Sequence, residues 1–157
     1  MIVPASAVIV GLIDFLISLL FLGVLMAYYS YTPTLRILAL PLFTGVALLV
    51  AGGAGLWLAS LTVKYRDFRH IVPFIIQFGS YISPVGFSSS VIPEKWRLLY
   101  SLNPMVGVID GFRWCILGTS SELDSMNLLS SGLISTLILV SGIWYFRQTE
   151  RTFVDII

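Results

Sequence analysis

Few side chains in this sequence could carry chemistry, and Asp14 is the one set deepest within an apolar stretch. An ionised carboxylate is costly in an apolar medium unless it is paired, protonated or close to water. This position makes Asp14 a candidate for the lining of a substrate path. A structural role, in which the carboxylate reaches an interface or bonds a neighbouring helix, fits the position equally well.

The densest run of charge covers residues 64–70 and contains Lys64, Arg66, Asp67, Arg69 and His70. Asp67 and His70 are three residues apart and could share a helical face as half of an acid–base pair. Three further charges lie beside them, so the favoured interpretation is a water-facing loop that is solvated or docked on a partner protein.

The chain lacks the sequence patterns of catalytic and metal sites. The phosphate-binding pattern GxxxxGK[ST] is absent, and any energy from ATP must therefore come from another subunit. The single histidine, His70, and the single cysteine, Cys115, cannot supply the paired spacing of zinc or iron–sulfur ligands. We predict no catalytic residue, no metal site and no cofactor bound by this chain, and we interpret Cys115 as a packing residue.

Aromatic and polar residues gather between residues 77 and 114. Aromatic rings can offer flat apolar faces to sugar rings, although anchoring at a membrane interface explains most of them. Asp110 and Arg113 are spaced to pair on one helix, and the alternative is that Arg113 meets anionic substrate at a channel exit. Together with Asp14, the candidate path residues are Gln77, Tyr81, Phe87, Trp96, Tyr100, Phe112 and Arg113.

The composition indicates that the helices carrying these residues lie in a lipid bilayer rather than in water. Hydrophobic residues make up 57% of the chain and charged residues 11%, with a mean hydropathy of +0.96. These values are far from those of soluble domains and indicate an integral membrane protein. A net charge of +1 gives no concentrated basic face, so no nucleic-acid partner is expected.

The apolar runs predict one all-α domain with four transmembrane helices and a short helix before the last of them. The spans cover about 5–27, 37–62, 71–92 and 126–146, each close to the roughly 20 residues that cross a bilayer. No basic residue precedes the first run, which is also longer than a signal-peptide core, so a cleaved leader is not expected.

Local signals refine three of these elements. Small residues at Ala51, Gly55 and Ala59 predict close helix contact along one face of the second span. The third span is interrupted by prolines and glycines, which predicts a broken or bent helix and makes it the first candidate to line a path. Asn103-Pro104 begins a helix that Gly118 ends, and this helix of about 103–117 is too short and too charged to cross, so we expect it to be re-entrant or interfacial.

Charge placement predicts the orientation. With four spans, the 64–70 run and the tail from 147 to 157 lie on one side and hold five of the nine basic residues. The density of positive charge places that side, with the C-terminus, in the cytoplasm. A competing topology counts the 103–117 helix as a full span and puts the tail opposite the loop.

An ordered set of short segments resembles one transporter family. Val63 to His70, Ser83-Pro84-Val85, Ile92 to Arg97, Leu102-Asn103-Pro104 and Gly111-Phe112-Arg113 resemble the ABC-2 type membrane subunits that export polysaccharides, O-antigens and teichoic acids. The end of the chain, from Glu150 to Ile157, is similar to the end of those subunits.

This resemblance implies a multi-pass permease in the cytoplasmic (inner) membrane of a bacterium or archaeon. It implies a homodimer that binds two cytoplasmic ATPase subunits, which hold ATP and Mg, and that moves a long or lipid-linked glycan outward between the protomers. Subunits of this family usually have six spans, so the resemblance implies that this sequence lacks the first two. Contact with the ATPase would then rest on Lys64, Arg66, Asp67, Arg69 and His70.

Other functions remain open at this point. A related ABC-2 subfamily that exports drugs or lipo-oligosaccharides is the nearest alternative. A membrane assembly or anchoring protein is a second alternative. A membrane-embedded enzyme is the weakest, because no pair of ionisable groups has a convincing depth and spacing.

Overall fold

The computed structural model of the chain describes residues 2–32, 34–118 and 125–154. These residues form helices and connecting turns, with no strand in the described ranges, which confirms the predicted all-helical class. Two short 3₁₀ segments, Leu35–Ala39 and Ser89–Val91, precede the second and fourth α-helices. The α-helices are α1 (Ile2–Tyr28), α2 (Leu40–Lys64), α3 (Phe68–Ile82), α4 (Glu94–Tyr100), α5 (Pro104–Leu117) and α6 (Ser125–Val154).

Three segments of the described chain are long and apolar enough to cross a membrane. They are Ser6–Tyr28, Leu35–Lys64 and Asn127–Glu150, which correspond to the predicted first, second and last spans. Their side chains face outward along most of their length, as expected when lipid is the surrounding solvent.

The predicted third span, 71–92, is broken, as expected from its prolines and glycines. Helix α3 has 15 residues, or about 22 Å at 1.5 Å per residue, whereas a hydrocarbon core is about 30 Å thick. It ends before Ser83, whose extended backbone (φ −79°, ψ 146°) is the conformation that a following proline, Pro84, imposes. Pro73 lies inside α3 without ending it.

Helices α2 and α6 pack closely at glycines. A Cβ on Gly53 would lie 2.7 Å from the Cα of Leu139, and a Cβ on Gly142 would lie 2.6 Å from the carbonyl oxygen of Gly53. The backbones can approach this closely because neither glycine has a side chain.

The prediction that Ala51, Gly55 and Ala59 make the close helix contact is wrong, because α6 packs on the face of α2 that contains Gly53. A Cβ on Gly55 would meet nothing within 4 Å, and all three residues line an open apolar cavity of about 500 Å³ on the side of α1. Small residues occupy two faces of α2, and spacing alone does not distinguish which face another helix covers.

Contacts between α2 and α6 show that the two helices run in the same direction. Gly53 lies against Leu139 and Gly142, and one turn further along α2 the ring of Trp57 stacks on Tyr145 at 4.4 Å between centroids. Trp57 also donates from Nε1 to Ser141 Oγ at 3.1 Å. The C-terminal ends of both helices therefore lie on one side, in agreement with the common side predicted for the charge run and the tail.

Candidate functional site

Several polar contacts between distant parts of the chain involve helix α5 and the residues that cap it. The Asn103 side chain caps its N-terminus by accepting a hydrogen bond from the Met105 amide at 3.0 Å, and Pro104 occupies the first helical position. Gly118 ends the helix with a left-handed backbone (φ 59°) that favours glycine. The predicted start and end of this helix are confirmed.

The C-terminal carbonyls of α5 bond side chains from the connection between α1 and α2. Tyr31 donates from its hydroxyl to the Leu117 carbonyl at 2.8 Å, and Arg36 donates from Nη1 to the Gly118 carbonyl at 3.4 Å. The Arg36 guanidinium also lies 4.9 Å from the centre of the Trp114 ring. These contacts satisfy carbonyls that a helix end leaves unpaired and place a cation near the negative end of the helix.

The other end of α5 packs against α6. Ser130 donates to the Ser101 carbonyl at 3.3 Å, and a Cβ on Gly107 would lie 2.8 Å from the Asn127 carbonyl oxygen. Ser130 is about 8 Å along α6 from its first residue. Helix α5, with 14 residues, thus runs from this level towards the turn after α1 and is too short to cross the bilayer. Cys115 is fully buried on α5, which confirms its interpretation as a packing residue.

Arg113 on α5 binds the segment that follows α3. Its Nη2 donates to the carbonyls of Pro84 at 2.5 Å and Val85 at 3.0 Å. Its Nη1 lies 3.6 Å from Asp110 Oδ1, so the predicted pair is present as an ion pair longer than a hydrogen bond. Asn103 adds a second link to this segment by donating from Nδ2 to Ser83 Oγ at 3.2 Å.

Tyr100 lies in the electrostatic field of the same pair. Its hydroxyl is buried and has no hydrogen-bond partner within the described residues. Arg113 Nη1 is likewise buried without a hydrogen-bond partner there. Burial raises the pKa of Tyr100, with a further increase from Asp110 and an opposing effect of Arg113. The ring of Phe87 is 6.4 Å from that of Tyr100, so three of the predicted path residues meet at the end of α3.

The remaining predicted path residues lie elsewhere. Phe112 points to the opposite side of α5, where its ring is 5.4 Å from Phe15, and it lines the cavity beside α1. Trp96 is exposed on α4 beneath the ammonium group of Lys95. Gln77 and Tyr81 are exposed on α3.

Asp14 is exposed on α1 and faces away from the helix packed against it. The α1 residues that face α2, such as Leu12, Phe15 and Leu19, line the two cavities beside α1, and Asp14 is absent from both linings. No cation lies within 4 Å of its carboxylate in the part of the chain that the structure describes. The eight predicted residues therefore do not form one continuous surface.

The charge run is partly helical. Lys64 is the last residue of α2, residues 65–67 connect the helices, and Arg69 and His70 lie in the first turn of α3. The five charged side chains of the run are all exposed, and Lys64 lies over the ring of Tyr65 at 5.6 Å. Within the described ranges no three His, Cys, Asp or Glu residues are grouped to hold a metal ion.

Sequence reasoning missed Tyr31, Arg36 and Ser83 as contacts of α5. Arg36 is 82 residues from its carbonyl partner, and Ser83 is 20 residues from Asn103. No local pattern connects such distant positions. The Asn103-Pro104 pattern predicts where α5 begins, but it does not predict which side chains bind the helix.

The architecture is that of a multi-pass helical membrane protein in which a short capped helix is set among long apolar helices. The chain belongs to the ABC-2 type transporter family, which matches residues 1–117. This membership confirms the predicted resemblance to ABC-2 type membrane subunits.

Similar proteins have a more specific description. The chain is 25% identical over 98% of its length to the O-antigen export system permease protein RfbA of Myxococcus xanthus. It is 23% identical over 99% of its length to a protein with the same description from Klebsiella pneumoniae. In each case it spans 60% of the relative's length.

Proposed function

We propose that the chain is part of the membrane subunit of an ATP-driven exporter that moves a polysaccharide or a lipid-linked glycan across the cytoplasmic membrane. Its similarity to O-antigen export permeases supports a glycan cargo. A separate ATPase subunit binds ATP and Mg and supplies the energy, since the chain has no phosphate-binding loop.

The observation that carries this proposal is the two-sided character of α3. His70, Gln77 and Tyr81 recur at helical spacing on one face, whereas Ile71, Ile75 and Ile82 lie on a separate face, about 120° around the helix axis. Polar side chains within membrane helices face a water-filled path or another protein surface rather than lipid. Gln77 and Tyr81 are exposed and so are available to line such a path.

The irregular segment after α3 fits the same role. In our proposal α3 and residues 83–92 together make a fourth crossing, and α4 and α5 form a re-entrant element on the outer side. Non-helical backbone at membrane depth is tolerated where protein or a water-filled cavity surrounds it. Phe87, Trp96, Tyr100 and Arg113 would then border the outer end of the path.

A second copy of the chain completes the path in this proposal. The polar face of α3 is uncovered in one chain, and a path needs a wall on its other side. A homodimer with the two α3 helices facing each other supplies that wall without exposing the polar face to lipid.

The charge run is the proposed docking surface for the ATPase. Lys64, Arg66 and Arg69 are exposed between the end of α2 and the first turn of α3, on the side towards which the C-terminal part of α6, with Arg147, also runs. Positive charge concentrates on cytoplasmic surfaces, so this side is assigned to the cytoplasm. Asp67 and His70 extend the same surface.

A pair of tryptophan substitutions tests the path. Gln77→Trp places a bulky ring on the polar face, and Ile75→Trp places the same ring on the apolar face as a matched control. With the partner ATPase present, we expect Gln77→Trp to abolish delivery of glycan to the cell surface and Ile75→Trp to preserve it. Equal export by both variants, at equal membrane levels, would contradict the proposed path.

A further inference from the structure

The chain segment after α3 is held to α5 through backbone carbonyls. Ser83, Pro84 and Val85 lie outside any helix, so their carbonyls lack the intrahelical partners that membrane depth normally demands. Arg113 Nη2 donates to the carbonyls of Pro84 and Val85, and Pro84 is fully buried beneath it. One guanidinium nitrogen thus fixes the position of this bend.

Arg113 has a second partner within reach. Asp110 Oδ1 lies 3.6 Å from Arg113 Nη1, too far for a hydrogen bond but close enough for a small rotation of the guanidinium to form one. Arg113 Nη1 and the Tyr100 hydroxyl are both buried without a hydrogen-bond partner in the described part of the chain. Because these donors lie near the Asp110 carboxylate, the cluster could form a second set of hydrogen bonds in which Arg113 binds Asp110.

The two sides of this contact differ in how firmly they are held. Helix α5 is fixed at its C-terminal end by Tyr31 and Arg36 and along its length by close packing on α6 at Gly107. The segment after α3 is also linked by the hydrogen bond from Asn103 to Ser83 and by the contact of the Phe87 ring with Tyr100, and neither of these contacts involves a charged group. Release of Arg113 would therefore move the end of α3 and leave α5 in place.

We infer that Arg113 is a positioning residue that acts as a latch between two states. In the engaged state its guanidinium binds the Pro84 and Val85 carbonyls and holds the end of α3 against α5. In the released state the guanidinium bonds Asp110 instead, and the end of α3 is free to move. Asp110 competes with the carbonyls for Arg113, and the link between this latch and export rests on the proposed function.

The latch makes opposite predictions for its two charged members. Removing the guanidinium in Arg113→Gln frees the end of α3, whereas removing the competing charge in Asp110→Asn favours the engaged state. A pair that merely stabilises the fold would make both substitutions disruptive in the same direction. The sign of the two effects therefore distinguishes a latch from a structural ion pair.

Accessibility of residue 83 measures the state of the latch. Ser83 is buried at 7% exposure, so a Ser83→Cys probe in a Cys115→Ser background reports its release by reaction with a water-soluble maleimide. We expect Arg113→Gln to increase the labelling rate about tenfold or more, since bonds from a charged donor are lost, and Asp110→Asn to decrease it. Arg113→Lys, which keeps a charged donor, should fall between the parent and Arg113→Gln.

Two further measurements keep the test decisive. The double variant should label at the rate of Arg113→Gln, because Asp110 acts through Arg113. Native Cys115, retained in parallel proteins without the probe, reports global unfolding because it is fully buried. If Arg113→Gln exposes Cys115, the direction of the Asp110→Asn effect decides the question.

The inference is overturned if Arg113→Gln leaves the labelling of residue 83 unchanged, or if Asp110→Asn increases it. These readouts need no glycan and no ATPase. Failure of the latch can therefore be told apart from failure of the proposed export function.

Discussion

Gly53 and Gly142 bring the backbones of α2 and α6 into direct contact, since a Cβ on Gly142 would lie 2.6 Å from the Gly53 carbonyl oxygen. The contact lies one helical turn before the stacked rings of Trp57 and Tyr145. Together these pairs fix both the separation and the relative direction of two membrane-spanning helices.

Adding side chains at this contact should destabilise the protein. We expect Gly53→Val to lower the free energy of unfolding by about 1–3 kcal/mol, because the added atoms overlap the backbone of α6. The measurement is thermal unfolding of the purified chain in detergent. Gly55→Val is the matched control on α2, where the new Cβ meets nothing within 4 Å. Equal losses in the two variants would contradict the assignment of the packed face.

Removing the Arg36 side chain should loosen the C-terminal end of α5. Arg36→Gln loses the bond to the Gly118 carbonyl and the contact with the Trp114 ring, with an expected cost of about 1–2 kcal/mol. Thermal unfolding and proteolysis of the connection after α5 both measure this effect. Arg97→Gln on exposed α4 is the control and should unfold like the parent. Unchanged behaviour of Arg36→Gln would mean that the cap contributes nothing.

Reversing charge in the run after α2 should weaken binding of the ATPase. Arg66→Glu combined with Arg69→Glu converts two exposed cations to anions on the proposed docking surface. We expect less ATPase to co-purify with this variant, and the loss to grow smaller as salt screens the surface. Lys95→Glu with Arg97→Glu on α4 carries the same change in charge elsewhere and should leave co-purification intact. Normal recovery of the ATPase with the first pair would exclude this surface.

Neutralising Asp14 should separate a functional role from a packing role. Asp14 is exposed on α1, away from α2, so Asp14→Asn should leave the packing of the described chain intact. We expect less surface glycan at an unchanged level of the membrane protein. Ser18→Ala, one turn further along α1, removes a hydroxyl bound to the Asp14 carbonyl and serves as the control. A parallel fall in protein level and export would support the structural alternative for Asp14.

The parts of the fold that depend on local sequence were predictable. Runs of apolar residues give span lengths directly, and Asn103, Pro104 and Gly118 define α5 because caps and breakers act on their own backbone. The end of α3 before Pro84 follows from the same local physics, although the prediction extended that span to residue 92.

The parts that depend on tertiary contact were not predictable from one sequence. Gly53 and Gly55 are chemically identical and lie on different faces of α2, and only the position of α6 decides which one is buried. Arg113 was expected to pair with Asp110 or to meet substrate, whereas its shortest bonds are to backbone carbonyls that carry no residue-specific signal. Its predicted partner was found because the two residues are neighbours in sequence.

The shared direction of α2 and α6 restricts how many times the chain between them can cross the membrane. Two helices that cross the bilayer in the same direction must be joined by a chain that crosses back an odd number of times. Helix α5 is too short to make that crossing, and in the proposed topology α3 and its continuation make it. Epitopes inserted at residue 66 and just ahead of α6 should consequently be detected from opposite compartments.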